Sequence, residues 1–188
     1  MTTANKITLV RIAMIPFFVW FAMQGDPVSD AIALILFCVA SVTDFLDGYV
    51  ARKYNQVTDF GKFVDPLADK LLVTAALVIF TERMLFPAWM VFIILAREFI
   101  ITSLRNVAAA KGQVMAAAWS GKVKTCVQIA AIICIFLFAI FTGISTPLPS
   151  VLLSACAWIA TLVTLYSGYD YLHRNWALVA EGATKPKG

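Results

Sequence analysis

An all-α membrane protein crossing the bilayer six times is the fold class that this sequence predicts, and two observations carry that reading. Of 188 residues, 61% are hydrophobic and 14% charged, with a mean hydropathy of +0.85. A soluble domain of this size needs far more polar surface to stay dispersed. The charges are also unevenly spread, and Ile12 to Met23, Leu71 to Thr81 and Val127 to Thr142 contain none. Repeated apolar stretches of this kind read as membrane spans, each needing about 20 residues to cross the hydrocarbon.

The first span covers residues 6–24 and stops at Gly25-Asp26-Pro27, a strong turn signal. It could pass for a secretory signal, but no small-x-small cleavage site follows it and equally apolar spans do, so it is expected to remain as a helix. The second span, 30–53, gives way to the polar stretch Tyr54 to Asp59, and the third, 62–82, closes between Glu82 and Pro87. The fourth, 86–107, ends ahead of Gly112; Thr142 to Pro149 then separates the fifth, 118–143, from the sixth, 148–173. No linker is long enough to divide the chain and no internal repeat is visible, so residues 1–188 read as a single integral membrane domain. Cys38, Cys126, Cys134 and Cys156 lie scattered in apolar segments without a CxxC pair. They read as small packing residues, with neither a disulfide framework nor a zinc site.

Orientation follows from the basic residues. On this map Lys6, Arg11, Arg52, Lys53, Lys62, Lys70, Arg97, Arg105, Lys111, Lys122, Lys124, Arg174, Lys185 and Lys187 lie on or toward one side, and only Arg83 toward the other. That bias puts both termini in the cytoplasm, and the chain is expected in the inner (plasma) membrane. The net charge of +4 is accounted for by the same bias. No aromatic-basic motif for nucleic acid accompanies it.

Acids inside membrane spans are costly and are functional candidates by default. Asp44 and Asp47, three apart, share a face near the cytoplasmic end of the second span; Asp65 and Asp69, four apart, share a face at the start of the third. The short connection between the two spans makes them antiparallel neighbours, so both pairs can enter one cleft at one depth. Four carboxylates so close repel strongly at low dielectric, and either protons or cations must hold them. All-oxygen ligation favours magnesium or manganese, and four carboxylates suit a site for two ions. Gly48 and Ala51 remove bulk beside the acids, and Arg52 offers a fork of donors suited to phosphate. Gly61 relieves crowding where the chain re-enters the membrane, and Pro66 is tolerated if it falls in the first turn of its helix. A purely structural ion-pair network is the plainer reading of these acids. A metal-ion channel or transporter path is another, although a path calls for acids spread along the membrane depth.

The segment Asp44-Phe-Leu-Asp47-Gly48-Tyr-Val-Ala51-Arg52, eight further residues, then Gly61-Lys-Phe-Val-Asp65-Pro-Leu-Ala-Asp69 resembles the signature of the CDP-alcohol phosphotransferase family. All of the signature's fixed positions are present. The resemblance implies that family's six-helix fold, a homodimer, and an active site at the cytoplasmic face. It implies that Asp44 and Asp65 bridge two metal ions, that Asp47 and Asp69 complete one site each, and that Asp69 takes the proton of the attacking hydroxyl. Gly48, Arg52 and Thr58 would contact the CDP part of the donor. Asn5 and Thr8, in an Asn-x-x-Thr-x-x-Arg start ending at Arg11, resemble the segment that closes over the nucleotide. The expected reaction is in-line attack on CDP-diacylglycerol by an alcohol, with release of CMP.

The signature does not name the alcohol. Arg97 lies far inside a span, and its neighbour Glu98 is not expected to share its face, so an anionic substrate is a natural partner. With Arg105, Lys122 and Lys124 it forms a basic cluster suited to a phosphorylated acceptor. The alternative for Lys111, Lys122 and Lys124 is contact with lipid headgroups. Ala96-Arg97-Glu98-Phe-Ile-Ile-Thr-Ser-Leu-Arg105, with Gly121-Lys122-Val-Lys124-Thr125, is similar to the branch of the family that uses glycerol 3-phosphate. The runner-up acceptors are those of the phosphatidylinositol phosphate and cardiolipin synthases. The last span offers little signal: His173 reads as interfacial, Tyr166, Tyr169, Tyr171 and Trp176 as an aromatic belt, and Asp170 stays unassigned.

Overall fold

The computed structural model describes residues 3–53, 59–110, 118–143 and 151–176, and the side chains of these except 3–6, 45–53, 59–66, 69 and 110. Six helices follow one another: α1 (Thr3–Gln24), α2 (Pro27–Lys53), α3 (Asp59–Glu82), α4 (Ala88–Ala110), α5 (Trp119–Thr142) and α6 (Val151–Arg174). No strand occurs among the described residues. α1, α2, α5 and α6 are long and apolar enough to cross a membrane by length and composition. The other two hold their charges inside the span, Asp65, Asp69 and Lys70 in α3 and Arg97, Glu98 and Arg105 in α4.

Helices α1, α2 and α3 each begin three residues ahead of the expected starts, and local chemistry explains the clearest case. Gly25 takes a positive φ of 75° and ends α1. Asp26 then caps α2, its Oδ1 accepting from the amides of Val28 at 3.1 Å and Ser29 at 3.0 Å, while Pro27 occupies the first helical position, where its missing N–H costs nothing. The Ser29 hydrogen bonds hold the exposed Asp26 carboxyl below its usual range. Because α3 starts at Asp59, Gly61 lies inside the helix and Pro66 is its eighth residue. That corrects the expectation of a first-turn proline: Pro66 has no N–H to give the carbonyl of Lys62. At the other end of α3 the chain turns through Met84, a non-glycine residue at φ 56°. The amide of Leu85 donates to Phe80 at 2.8 Å and that of Met84 to Thr81 at 3.1 Å, the paired closure of a helix whose next residue is left-handed.

The helices form two compact units. The first comprises Met1–Leu85 with Ile132–Leu148, and the second Phe86–Ala131 with Pro149–Gly188; α5 contributes a half to each. In the first, α1 packs on both α2 and α3. Its buried residues Thr8, Arg11, Ile15, Phe18 and Ala22 recur at helical spacing along one face. Phe18 meets Phe37 at 5.9 Å and Phe136 at 6.0 Å, and Phe136 meets Phe80 edge-on at 4.8 Å, a cluster that draws four helices together. In the second unit, α4 packs on α6 and Trp89 meets Trp158 at 5.5 Å. The buried stripe of α6 is mostly small or hydroxylated: Ala157, Ala160, Thr161, Thr164, Ser167 and Gly168. Such residues let helix backbones approach closely where no hydrophobic drive joins them.

The surface is inverted relative to a soluble protein. Phe17, Trp20, Ile35, Phe92, Phe99 and Phe141 are exposed, while Arg11, Asp30, Lys124 and Gln128 are buried. An apolar exterior of this extent belongs against lipid. Cys126 and Cys134 are on that exterior, which corrects their reading as packing residues; Cys38 and Cys156 are partly covered and fit it. Tyr166, Tyr169 and Trp176 are exposed as an aromatic belt requires, but Tyr171 is buried and is a packing residue.

One buried pair pins the end of the first unit opposite Asp44. Arg83 donates to both oxygens of Asp30, at 2.5 and 2.8 Å, and to the carbonyl of Ala22 at 3.2 Å. One guanidinium therefore joins the last turn of α1, the first turn of α2 and the end of α3, satisfying an orphan helix carbonyl on the way. Asp30→Asn is expected to lower stability by about 3–5 kcal/mol, because it leaves a buried cation uncompensated. Thermal unfolding in detergent measures this, and the double replacement Asp30→Leu with Arg83→Met should recover most of the loss.

Candidate functional site

Helix geometry sets the signature aspartates level in two pairs. Asp47 stands six residues before the end of α2 and Asp65 six after the start of α3; Asp44 and Asp69 stand nine and ten residues from those same ends. At 1.5 Å per residue the pairs lie at matched depths, about 9 Å and about 14 Å from the connection. α2 and α3 contact each other directly. The side chains of Asp47, Asp65 and Asp69 lie outside the described residues, as do those of Asn5, Ala51, Arg52 and the glycine positions 48 and 61. Thr58 and Lys111 fall outside them altogether.

Asp44 is described. Its Oδ1 accepts from Nη1 of Arg11, one helix away. The Arg11 side chain is fully buried, yet that of Asp44 keeps 37% of its surface exposed. Thr8 is also buried, one turn before Arg11 on the same face of α1. An aspartate anchored through one oxygen and open on its other side is a suitable ligand for a hard cation, and ligating carboxylates are commonly held by such outer partners. The donor set thus fits a divalent-ion centre by its chemistry, its helical spacing and the openness of Asp44.

The second unit holds the basic residues. Glu98 Oε1 accepts from Nη1 of Arg97 at 2.8 Å and from Nζ of Lys124 at 2.5 Å. Arg97 thus has a partner within the protein where an anionic substrate was the natural expectation: adjacent side chains diverge at Cβ, yet these two are long enough for their heads to meet. Arg97 Nη2 donates to Ser167 Oγ at 2.7 Å. Lys124 is buried, which also rules out its reading as a headgroup-facing lysine. Arg105 and Lys122 are exposed. Gly168 lies directly under Arg97, where a Cβ would sit 3.0 Å from its Cγ.

Helix α6 therefore carries more than its sequence suggests. Besides Ser167 and Gly168, Thr164 Oγ1 accepts from the buried Gln128 at 3.2 Å. Asp170, unassigned from sequence, accepts from Ser120 Oγ at 2.5 Å and Arg174 Nε at 2.6 Å. The available signal was a run of Thr, Ser and Gly along one face of an apolar span. His173 is exposed beside Tyr169, as an interfacial residue should be.

Residues 1–167 match the family model described as CDP-alcohol phosphatidyltransferase. The chain belongs to this family. Among curated CDP-alcohol phosphatidyltransferases, it is 48% identical over 185 residues to the Bacillus subtilis CDP-diacylglycerol–glycerol-3-phosphate 3-phosphatidyltransferase, covering 92% of this chain and 94% of that one. It is 38% identical over 176 residues to the protein of the same name from Escherichia coli K12, covering 88% and 90%. The matched segment contains all four aspartates and the basic residues of α4 and α5.

Gly168→Leu is expected to cost about 1–3 kcal/mol, since the added side chain overpacks against an Arg97 already pinned at its far end. The unfolding midpoint of the purified protein checks this.

Proposed function

We propose that the protein transfers the phosphatidyl group of CDP-diacylglycerol to glycerol 3-phosphate, giving phosphatidylglycerophosphate and CMP. The observation that carries this reading is the identity with two relatives bearing that name, 48% and 38% across about nine-tenths of each chain. The basic group on α4 and α5 supports it, because a phosphorylated acceptor needs cations that a neutral alcohol does not. The chain acts as a single six-span domain of the inner (plasma) membrane, as a homodimer, with both termini and the reaction on the cytoplasmic side. The positive-inside bias supports that orientation.

Asp44, Asp47, Asp65 and Asp69 hold two magnesium or manganese ions, Arg11 fixing the direction of Asp44. Such ions, when bound, screen the diphosphate and stabilise charge on the departing CMP. Asn5, Thr8, Gly48, Ala51, Arg52, Thr58 and Gly61 receive the CDP moiety. Arg97, Arg105, Lys122 and Lys124 receive the acceptor phosphate. Asp69 takes the proton from the acceptor hydroxyl as its oxygen bonds to the lipid-side phosphorus; the bond from that phosphorus to the bridging oxygen breaks, and CMP leaves with the electron pair.

Purified protein with CDP-diacylglycerol and magnesium should release CMP on glycerol 3-phosphate, and not on inositol phosphate, serine or phosphatidylglycerol. Preference for another acceptor would displace the substrate assignment. Chelation of divalent ions should stop turnover, and readdition restore it. Asp69→Asn should lose turnover by at least roughly a hundredfold, the scale of a general base, while CDP-diacylglycerol binding persists; near-normal activity would remove its role as base.

A further inference from the structure

Glu98 is an acid set among the residues assigned to bind an anion, where its charge should be a handicap. Its surroundings explain it. Glu98 Oε1 is shared by Arg97 and Lys124, one from α4 and one from α5, and the three side chains are 12%, 19% and 7% exposed for Arg97, Glu98 and Lys124. Two cations this near each other would repel and separate without a counter-ion between them. Ser167 and Gly168 complete the seat from α6: the hydroxyl takes the far end of the guanidinium, and the missing side chain lets the stem lie against the helix.

We infer that Glu98, together with Ser167, is a positioning residue for the acceptor, holding Arg97 and Lys124 side by side so that one phosphate meets both. The inference rests on the proposed glycerol 3-phosphate reading and deepens it. Arg97 spends one donor on Glu98 and one on Ser167, out of five in a planar fork, and Lys124 has three donors. Arg97 keeps hydrogens for a ligand while both heads are held on Glu98. The trio carries one net positive charge, enough to attract a phosphate, and ordering is complete before substrate arrives.

Steady-state kinetics of Glu98→Gln test this, because glutamine keeps the shape and one acceptor oxygen but loses the charge. The KM for glycerol 3-phosphate should rise about tenfold, equivalent to about 1.4 kcal/mol. The KM for CDP-diacylglycerol and the kcat at saturating acceptor should stay within about twofold, and Glu98→Asp should recover part of the loss, as expected when geometry rather than mere folding is at stake. Ser167→Ala should raise the same KM by roughly threefold, one hydrogen bond to a charged group being lost. It decides the matter alone if Glu98→Gln does not accumulate in membranes. A KM for glycerol 3-phosphate that stays level or falls, as simple removal of a negative charge would give, overturns the inference; so does a rise of both KM values together. Absence of CMP release by the wild-type protein with glycerol 3-phosphate overturns instead the reading beneath it, and the clamp with it.

Discussion

A charge carried into hydrocarbon has to find a partner there, and the placement of polar residues in this protein follows from that cost. Where the packing is apolar on every side, ion pairs decide which helix face meets which. Arg83 binds Asp30 and a carbonyl of α1; Arg11 binds Asp44; Arg97 and Lys124 share Glu98. Each group links different helices, so satisfying the charges and docking the helices are the same event. The Phe18, Phe37, Phe80 and Phe136 cluster then fills the space that the arginine pairs of the first unit frame.

The two aspartate–arginine pairs of the first unit look alike and do different things. Asp30 is 1% exposed and takes both of its oxygens to Arg83. It is closed, with no capacity left for a ligand. Asp44 meets a fully buried Arg11 through one oxygen and keeps 37% of its surface open. On the proposed reading, exposure separates a structural pin from a site: the arginine in the first pair completes the acid, while in the second it only aims it. Since both acids lie in α2, the same helix is fastened at one end and, on the proposed reading, presented for binding at the other.

Much of this organisation is legible in the sequence. Helices announce themselves through apolar length, and their ends through Gly25-Asp26-Pro27 or the stretch Thr142 to Pro149, because those signals act within a few residues of the chain. The aspartate set is legible for a similar reason, since helical spacing and a short connection fix relative depth. Pairing is a different matter. Period analysis needs a polar face, and α1 has none: Ile15 and Phe18 are buried while Phe17 and Trp20 face outward, all four apolar. Which face is internal depends on α2 and α3, which are distant in sequence. The same holds for Glu98, whose function as a shared counter-ion needs Lys124 from α5, and for Tyr171, buried only because α6 turns that side inward. Met84 in a left-handed turn is legible only once Leu85 and Phe80 close around it.

The signature places its acids between residues 44 and 69, and the basic residues assigned to the acceptor lie between 97 and 124. On the proposed reading both substrates are anions, the diphosphate donor and the phosphorylated acceptor. Distance along the chain does not by itself keep opposite charges apart, since Asp30 and Arg83 pair across 53 residues. What leaves capacity for a ligand is how much of each acid its partner takes, both oxygens of Asp30 but one of Asp44. On the proposed reading a residue of the opposite sign steadies each set: Arg11 reaching Asp44 among the acids, and Glu98 between Arg97 and Lys124 among the bases. Through such contacts a group of like charges can stay folded within a membrane.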